Sequence, residues 1–375
     1  MNILLIPDKF KGSLTAEEVI DATTQGIREV LPGTSVYSVI ASDGGDGFLD
    51  SVSRYVDVDE VRVATFDPLE REIIATYLYN KETSQAYIEL AKASGMVLLA
   101  PDERNPLMCS TYGTGILIKH VLLRGAKDIY IGLGGSATND AGIGIAKALG
   151  FEFFDITGNE LAPIGQSLSL IDRIQPPEIS NMLKDVQIYA VNDVNNPLYG
   201  TNGAAHIYAE QKGATTSDIE LLDHGLEHLH KIVKHQFKVS HADLPGAGAA
   251  GGTAYGLKTF AGANFISGID FIMELAGVES LLSTESIDCI ITGEGRIDDQ
   301  TLQGKLINGV LNLGKNHNIP VIAICGALAT NMGELQEQGL AAVIEVRDTD
   351  QTLEYNMANA YNLVKKAIAN YFKLQ

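Results

Sequence analysis

The sequence is short of cysteine and contains no long apolar stretch. Its three cysteines, Cys109, Cys289 and Cys325, show no CxxC spacing, and the last two lie in apolar runs. We therefore predict that Cys289 and Cys325 are reduced side chains in the core and that the protein occupies a reducing compartment. No run of about 18 apolar residues occurs, and the chain opens on a strand-like segment at residues 2–6 rather than on a charged leader. We expect no membrane span, no signal peptide and a cytoplasmic location.

Basic residues are also scarce. Lysine and arginine together number 27 against 47 aspartates and glutamates, which gives a net charge of −20. Such a field repels polyanions and argues against nucleic acid or anionic membranes as partners. A small anion could bind only where the site has its own lysines or arginines, a helix N-terminus or a metal ion. The sequence leaves open whether the chain forms a homo-oligomer.

Glycine, by contrast, is abundant, with 38 residues gathered in short runs between apolar segments. A chain of 375 residues exceeds one typical core, so two domains are expected. Strand–loop–helix alternation, typical of a parallel sheet, occupies residues 1–56 and returns from 287. Because a short βαβα piece cannot bury its sheet alone, the two stretches must share one sheet. We predict an α/β fold in which residues 1–60 and 271–375 form a parallel-sheet domain and residues 61–270 an inserted α/β domain.

Three local patterns refine this prediction. Alternating apolar positions at 61–66 and 73–78 indicate an antiparallel hairpin, so the inserted domain should have a mixed sheet. The polar stretch 155–185 is predicted as a surface excursion. Residues 353–373 are predicted as one long closing helix.

The most conspicuous glycine loop follows a predicted strand at residues 129–131. Residues 132–137 read G-x-G-x-x-A, and a predicted helix follows, as in the dinucleotide-binding fingerprint. A phosphate loop also fits, because glycines let the backbone approach a phosphate and a helix N-terminus attracts anions; so does a tight packing turn. Asp140 at the predicted helix start offers an oxygen that Mg²⁺ would prefer. The candidate phosphate contacts are Gly134, Gly135, Ser136, Thr138 and Asn139.

Two loops near the N-terminus also carry charged residues. Lys9 and Lys11 follow the first strand at its carboxyl end, where open α/β sheets bind ligands. They are either an anion site or solvated surface lysines. Asp43 and Asp46 lie three positions apart in a glycine-rich turn, which suits Mg²⁺ or a substrate hydroxyl, or else a helix N-cap followed by a turn.

Two later strands end in similar loops. Glu294 and Arg296 follow the strand predicted at 288–292, with Lys305 shortly after, and the shared sheet places them at the same edge as Lys9. Convergence of several charged loops on one edge favours a site. Asn192 and Asp193 follow the strand predicted at 186–191. Asp193 is a candidate base for a substrate hydroxyl, or the start of an Asx-turn before a proline.

Taken together, the loops resemble those of the bacterial glycerate kinases of the type 1 family, in the same order and over essentially the whole chain. The resemblance implies ATP-dependent phosphorylation of D-glycerate with Mg²⁺, giving 2-phosphoglycerate, in organic-acid catabolism. It also implies a flavodoxin-like domain formed by both chain ends, with a second α/β domain inserted. The segments that carry it are DKFKGS (8–13), SDGGDGF (42–48), YGTG (112–115), GLGGSATNDAGIG (132–144), NDVNNPLYG (192–200), PGAGAAGGTAYG (245–256) and TGEGRIDDQTLQGK (292–305).

For such a reaction the chemistry of the loops suggests roles in a cleft between the two domains. Asp193 would orient or deprotonate the glycerate hydroxyl. Lys9, Lys11 or Arg296 would hold the glycerate carboxylate and neutralise charge on the phosphoryl group. The 132–140 loop, with Lys305, would hold phosphate. The predicted substrate contacts are Lys11, Asp43, Asp46, Asn192 and Glu294, and the predicted Mg²⁺ ligands are Asp43, Asp46 and Asp140.

Two other functions stay open at this point. The loop at residues 132–137 could serve an NAD-dependent oxidoreductase. A non-catalytic protein that binds small anions would use the same cationic loops without turnover.

Overall fold

The computed structural model describes residues 1–40, 47–177, 183–297 and 305–374. The strands are β1 (Asn2–Pro7), β2 (Ser35–Ser38), β3 (Asp59–Phe66), β4 (Glu72–Asn80), β5 (Gln85–Glu89), β6 (Asp128–Gly132), β7 (Glu152–Phe154), β8 (Arg173–Gln175), β9 (Gln187–Val191), β10 (Asn264–Ile266), β11 (Cys289–Ile297), β12 (Val321–Leu328) and β13 (Leu340–Glu345). The helices are α1 (Ala16–Val30), α2 (Phe48–Tyr55), α3 (Ala91–Ser94), α4 (Tyr112–Leu123), α5 (Ile143–Ala148), α6 (Ala204–Tyr208), α7 (Thr216–Phe237), α8 (Ala249–Ala261), α9 (Gly268–Leu275), α10 (Val278–Thr284), α11 (Lys305–His317), α12 (Met332–Glu337), α13 (Leu353–Ala358) and α14 (Ala360–Lys373). Within the described ranges, no helix combines the length and the apolar character needed to cross a membrane.

The two ends of the chain form one compact unit, Met1–Ser42 with Ile269–Gln375, here called the terminal unit. Its strands run in the order β13-β12-β11-β1-β2, and each neighbouring pair is parallel. Counted within the unit this is the order 2-1-3-4-5 of flavodoxin-like folds. The predicted parallel sheet built from both chain ends is therefore confirmed.

Helix α1 begins at Ala16, directly after the N-cap residue Thr15. The Thr15 side chain accepts a hydrogen bond from the backbone N–H of Glu18, and the Glu18 carboxylate accepts one from the backbone N–H of Thr15. This reciprocal capping box satisfies two N–H groups that the helix itself leaves unpaired. With α14, α1 covers one face of the sheet and buries Ile3, Leu5 and Ile291 in a common core.

The middle of the chain, Asp43–Gly268, forms the second compact unit, here called the inserted unit. Its six strands have the order β10-β9-β6-β5-β4-β3. Pairs β3–β4 and β4–β5 are antiparallel, whereas β5, β6, β9 and β10 are parallel. The mixed sheet is as predicted. Helix α2 contacts β4 and β5 of this unit, whereas the sequence grouped it with residues 1–60; the boundaries of independently folding domains stay a prediction.

The prediction that 155–185 form a surface excursion is wrong for residues 163–174, which pack into the protein. Leu168, Ile171 and Ile174 are at most 1% exposed and belong to a second core of the inserted unit, together with Leu222 and Leu226 of α7. Sparse apolar residues among polar ones were enough to fill this core, because α7 presents a whole apolar face to them. The apolar residues of this segment are not regularly spaced, so their burial could not be predicted from periodicity.

The predicted closing helix at 353–373 is in fact two helices, α13 and α14, separated at Asn359. The Asn359 side-chain amide donates to the carbonyl oxygen of Tyr355. Asparagine competes in this way with the helical backbone, and its local bonds favour helix ends. The break leaves α13 free to take a direction of its own.

The cysteines behave as core residues. All three are free and buried, as predicted for Cys289 and Cys325. Burial raises the pKa of Cys109 to about 11 and the pKa of Cys289 and of Cys325 to about 12. These thiols therefore stay protonated and unreactive at neutral pH.

Candidate active site

The carboxyl ends of β1, β11, β12 and β13 meet at one edge of the terminal unit. The register places Pro7 beside Gly293 and Gly293 beside Ile324. The backbone N–H of Asp8 continues the ladder by donating to the carbonyl oxygen of Gly293 at 2.8 Å. The residues that follow the strands therefore lie side by side, as predicted for Lys9 and Glu294.

Residues 10–14 form a tight turn at this edge. The backbone N–H of Phe10 donates to Leu14 and that of Leu14 donates back to Phe10, at 2.9 and 3.0 Å. Phe10 is buried in the core, so the turn is anchored. A Cβ at Gly295 would lie 3.2 Å from the backbone of Phe10 and Lys11, which shows how closely the turn lies on β11.

A cavity of about 450 Å³ opens between this turn, the ends of β11, β12 and β13, and the two C-terminal helices. Four of the predicted site residues line it, namely Lys9, Lys11, Glu294 and Arg296. Its volume falls in the range of roughly 300–1,000 Å³ that is usual for small-molecule sites. The cavity lies entirely within the terminal unit.

The charges around this cavity are mainly positive. Lys9, Lys11 and Arg296 are exposed, and Arg347 adds a fourth cation, which pairs with Glu345 at 3.2 Å. Neither lysine has an ion-pair partner within the described ranges. In a chain with a net charge of −20, this is the kind of local cationic site that an anion requires.

The inserted unit has a second edge of this kind. The register brings Gly132 of β6 beside both Glu89 of β5 and Val191 of β9, and Ile266 of β10 beside Val191. The loops that follow all leave from the carboxyl ends of parallel strands. They include the glycine loop after β6 and Asn192–Asp193 after β9. Two predicted groups of site residues are thereby brought to one edge of this unit.

Asp193 is held in a fixed orientation at this edge. Its Oδ1 accepts hydrogen bonds from the Ser267 hydroxyl at 2.9 Å and from the backbone N–H of Gly268 at 3.0 Å. The carboxylate is half-buried. Asn192 beside it is 7% exposed, and its backbone N–H donates to Ile266. A fixed, partly accessible carboxylate is suited to accept a proton from a bound hydroxyl.

The glycine loop differs from the dinucleotide-binding geometry that the sequence suggested. Helix α5 begins only at Ile143, so residues 133–142 are not helical and α5 does not start at the glycines. The loop is instead fixed by neighbouring backbone: Ala137 donates to Ser94, and Met96 donates to Gly135, both at 2.9 Å. The expected helix start at Thr138–Asp140 is therefore wrong, because α5 begins only after Ala141 and Gly142, which both adopt left-handed φ values.

The same loop buries most of its predicted phosphate contacts. Gly134 and Gly135 are half-buried, whereas Thr138 and Asn139 have no exposed surface. The Thr138 hydroxyl and both polar atoms of the Asn139 amide have no hydrogen-bond partner in the described part of the chain. A phosphate would therefore first meet the backbone of Gly134 and Gly135.

Asp140 is not placed to bind a metal ion, contrary to the sequence prediction. It is fully buried and accepts four hydrogen bonds, from the N–H and hydroxyl of Thr111 and from the N–H groups of Gly142 and Gly144. Burial raises the pKa of this carboxyl, and the same hydrogen bonds oppose that rise. The side chain fastens the glycine loop to the start of α4, which is a structural task.

Lys212 is a residue of this site that the sequence did not reveal. It is 3% exposed, and its Nζ donates to the Ser136 hydroxyl at 2.8 Å and to the carbonyl oxygen of Thr138 at 2.7 Å. Burial lowers its pKa to about 8, against attraction from Asp140. A lone lysine between polar and small residues gave no signal, because its burial depends on the fold of the glycine loop.

The kinked start of α8 closes the loop from the other side. Ala250, Gly251 and Gly252 all adopt left-handed φ values. A Cβ at Gly251 would lie 2.1 Å from the carbonyl oxygen of Thr138, so only glycine fits there. The Gly/Ala-rich segment of the sequence thus supports the loop at residues 133–142.

Some predicted contacts cannot be placed. Asp43 and Asp46 lie outside the described residues, as does the side chain of Lys305, which begins α11. In the described ranges, no group of three or more histidine, cysteine or acidic side chains could hold a metal ion. The Asp140 carboxylate is satisfied by protein donors.

Comparison with known proteins covers the whole chain. The profile of the glycerate kinase family matches residues 3–375. The chain is 38% identical to glycerate 2-kinase of Escherichia coli K12 over 372 residues, which is 99% of this chain and 97% of that protein. It is 37% identical to a glycerate kinase of Bacillus cereus, with 100% and 98% covered. A crystal structure from Salmonella typhimurium LT2, provisionally named glycerate kinase 2, superposes with a TM-score of 0.81 at 38% identity, covering 100% and 98%.

Proposed function

The chain belongs to the glycerate kinase family, and from this premise we propose how its residues carry out the reaction. It is an ATP-dependent phosphotransferase that acts on glycerate. We propose that the acceptor is D-glycerate and the product 2-phosphoglycerate, in organic-acid catabolism; the name of the Escherichia coli relative supports the 2-position. Enclosure of the reaction between the two predicted domains stays a prediction.

Asp193 is our candidate for the group that prepares the acceptor hydroxyl. The bond from the hydroxyl oxygen to the γ-phosphorus forms as the bond from that phosphorus to the ADP oxygen breaks. The hydroxyl proton passes to the Asp193 carboxylate and then to solvent. The observation that carries this role is the pair of donors, Ser267 and Gly268, that fix Oδ1 at the end of β9.

The cationic and glycine loops would supply the charge stabilisation. Phosphoryl transfer depends mainly on positioning and on neutralising charge on the transferred group. Lys9 and Arg296 are our candidates for the second task, with Lys11 and Glu294 beside them on the same cavity. The backbone of Gly134 and Gly135, with buried Lys212 behind it, would attract an anionic group of the reactants.

Mg²⁺ enters the proposal only through residues that the structure does not describe. Asp43 and Asp46 keep their predicted role as ligands, because two acidic groups close together in a glycine-rich turn suit that ion. When bound, the ion would neutralise phosphate charge.

Replacement of Asp193 by asparagine is the direct test. Asp193→Asn should lower kcat by about 10²–10⁴-fold, the usual contribution of a general base, with little change in either KM. ADP release would be followed in a coupled assay with glycerate and a panel of other hydroxy acids. Ser53→Ala on α2, an exposed position, is the control. Near-normal turnover of Asp193→Asn with unchanged thermal stability would exclude the role, and NMR of the product identifies the phosphorylated carbon.

The oxidoreductase alternative loses its structural basis. The dinucleotide fingerprint requires a helix N-terminus at the glycines, and here α5 begins six residues after the last position of the G-x-G-x-x-A pattern. NADH fluorescence during titration should show no saturable binding. The binding-protein alternative predicts glycerate binding without ADP formation, which the coupled assay detects.

A further inference from the structure

The cavity of the terminal unit is lined by two chemically different sets of residues. Lys9, Lys11 and Arg296, which lie at the carboxyl ends of β1 and β11, are cationic. The other set is apolar and consists of Leu353, Met357 and Leu363 of α13 and α14, with Phe10 and Val346. A ligand that fills it must therefore combine an apolar body with an anionic tail.

Helix α13 presents its apolar side chains to this cavity. Leu353 and Met357 are four residues apart, so they lie on one face of the helix. They remain 72% and 38% exposed. A Cβ at Gly12 would lie 3.0 Å from the terminal methyl carbon of Met357, which shows that the Lys9–Ser13 turn and α13 meet across the cavity. Two exposed apolar side chains at the mouth of a pocket are the groups that a ligand would cover.

The position of the cavity in the fold also favours a ligand with an apolar body and an anionic tail. From β1 the chain passes to β2 on one side, whereas β11 lies on the other. In open α/β sheets, ligands bind outside the carboxyl ends of the strands at this change of direction, and flavodoxin-like folds hold a nucleotide-type cofactor there. The cavity lies at that point, between the residues that follow β1 and β11.

We propose that this cavity binds the purine nucleotide of the reaction, with the base against Leu353, Met357 and Phe10 and the phosphates at Lys9, Lys11 and Arg296. The proposal rests on the proposed function only in taking its ligand to be the nucleotide co-substrate. A three-carbon acid has no apolar body to cover α13, and about 450 Å³ far exceeds what it would fill. The glycine loop of the inserted unit is then left for the other anionic group, the glycerate carboxylate.

The test separates the apolar from the cationic residues of the cavity. Leu353→Asn combined with Met357→Gln makes the α13 part of the apolar lining polar, and Lys11→Gln removes one cation. Affinity is measured by the fluorescence of a methylanthraniloyl-ADP probe, with adenosine as competitor, and KM is measured separately for ATP and glycerate. Leu123→Asn is the matched control, because Leu123 of α4 is 74% exposed and lies in the inserted unit.

We expect the apolar double variant to weaken both the ADP probe and adenosine by about tenfold, equivalent to about 1.4 kcal/mol. Its KM for ATP should rise similarly, with KM for glycerate unchanged. Lys11→Gln should weaken ADP but not adenosine. Unchanged nucleotide affinity in both variants, or a rise confined to KM for glycerate, overturns the proposal.

Probe binding does not require turnover, so the outcome is independent of the proposed reaction. A wild-type protein that binds ADP in a Leu353-dependent way but phosphorylates no glycerate would support the cavity assignment and refute the reaction. If the protein phosphorylates glycerate but neither variant changes its nucleotide affinity, the reaction is supported and the cavity assignment is refuted.

Discussion

The charged side chain of Lys212 is buried, since the residue is only 3% exposed. Its ammonium group has two neutral acceptors, Ser136 and Thr138, and its nearest acidic influence is Asp140. Burying a cation without a close counter-ion is costly, and the lowered pKa expresses that cost. The hydrogen bonds from Lys212 to Ser136 and Thr138 support a role in holding the loop at residues 133–142 and in making it attractive to an anion.

The pH dependence of stability should reveal this lysine. Its pKa falls from 10.5 in the unfolded chain to about 8 in the folded protein. Between these values the unfolded state binds more protons, so the lysine's contribution to the free energy of unfolding rises with pH. Relative to Lys212→Met, the wild type should gain up to roughly 3 kcal/mol between pH 7.5 and 10.5, measured by urea unfolding.

An exposed lysine on α7 provides the control for this measurement. Lys234→Met removes a charge from a solvated position and should leave the slope of stability against pH as in the wild type. Parallel curves for wild type and Lys212→Met would show that Lys212 is not a strongly perturbed lysine.

At the scale of single residues, the sequence predicted those that follow strands. Lys9, Lys11, Glu294 and Arg296 reach one cavity because the carboxyl ends of parallel strands must share an edge. Lys212 and Asp140 were missed or misassigned for a different reason. Their roles depend on burial, and burial is set by a non-helical loop whose path no local pattern reveals.

At the scale of elements, Asn356 determines where α13 points. Its amide nitrogen donates to the carbonyl oxygens of Asp348 and Thr352 at 3.0 and 2.9 Å, and its oxygen accepts from the N–H of Asp348 at 2.7 Å. The side chain is 8% exposed. It therefore ties the start of α13 to the turn that follows β13 and sets the direction of Leu353 and Met357.

Asn356→Ala should loosen this helix. Loss of three bonds around one buried amide should lower the free energy of unfolding by about 1–3 kcal/mol. If α13 forms the nucleotide wall, KM for ATP should rise while KM for glycerate stays the same. Asn359→Ala is the matched control, since the side-chain amide of Asn359 donates one hydrogen bond among the described residues, to the carbonyl oxygen of Tyr355. Equal effects of the two variants on stability and on KM for ATP would contradict the ordering role of Asn356.

Elements with a regular apolar period were the ones that the sequence predicted. Alternating apolar positions predicted β3 and β4, and strand-like segments at 2–6, 129–131, 186–191 and 288–292 correspond to β1, β6, β9 and β11. The break at Asn359 and the burial within residues 163–174 were not predicted. Both depend on side-chain hydrogen bonds or on a partner helix, α7, which contribute nothing to a local period.

At the scale of the whole molecule, the split sheet was predictable because neither chain end can bury its own strands. The five parallel strands of the terminal unit bear this out. From the sequence, helix α2 groups with residues 1–60, because it follows the strand–loop–helix alternation of residues 1–56. In the structure α2 contacts β4 and β5. Packing partners distant in sequence decide such assignments.

The net charge of −20 has a consequence for the reaction as a whole. ATP and glycerate are both anions, so the protein field opposes their binding except near the cationic loops. A divalent ion bound to the phosphates reduces this repulsion. Chelation with EDTA should therefore abolish ADP release, and added Mg²⁺ should restore it.

Asp43 and Asp46 of the glycine-rich segment should set the Mg²⁺ concentration that the reaction requires. Asp43→Asn and Asp46→Asn each remove one carboxylate. Since even groups that only orient a metal's ligands contribute about 10–100-fold to metal affinity, each change should raise the half-saturating Mg²⁺ concentration at least about tenfold. Asp50→Asn, at an exposed position on α2, should behave as the wild type. If neither Asp43→Asn nor Asp46→Asn altered the Mg²⁺ requirement, the ion would be held by the nucleotide and by other groups of the protein.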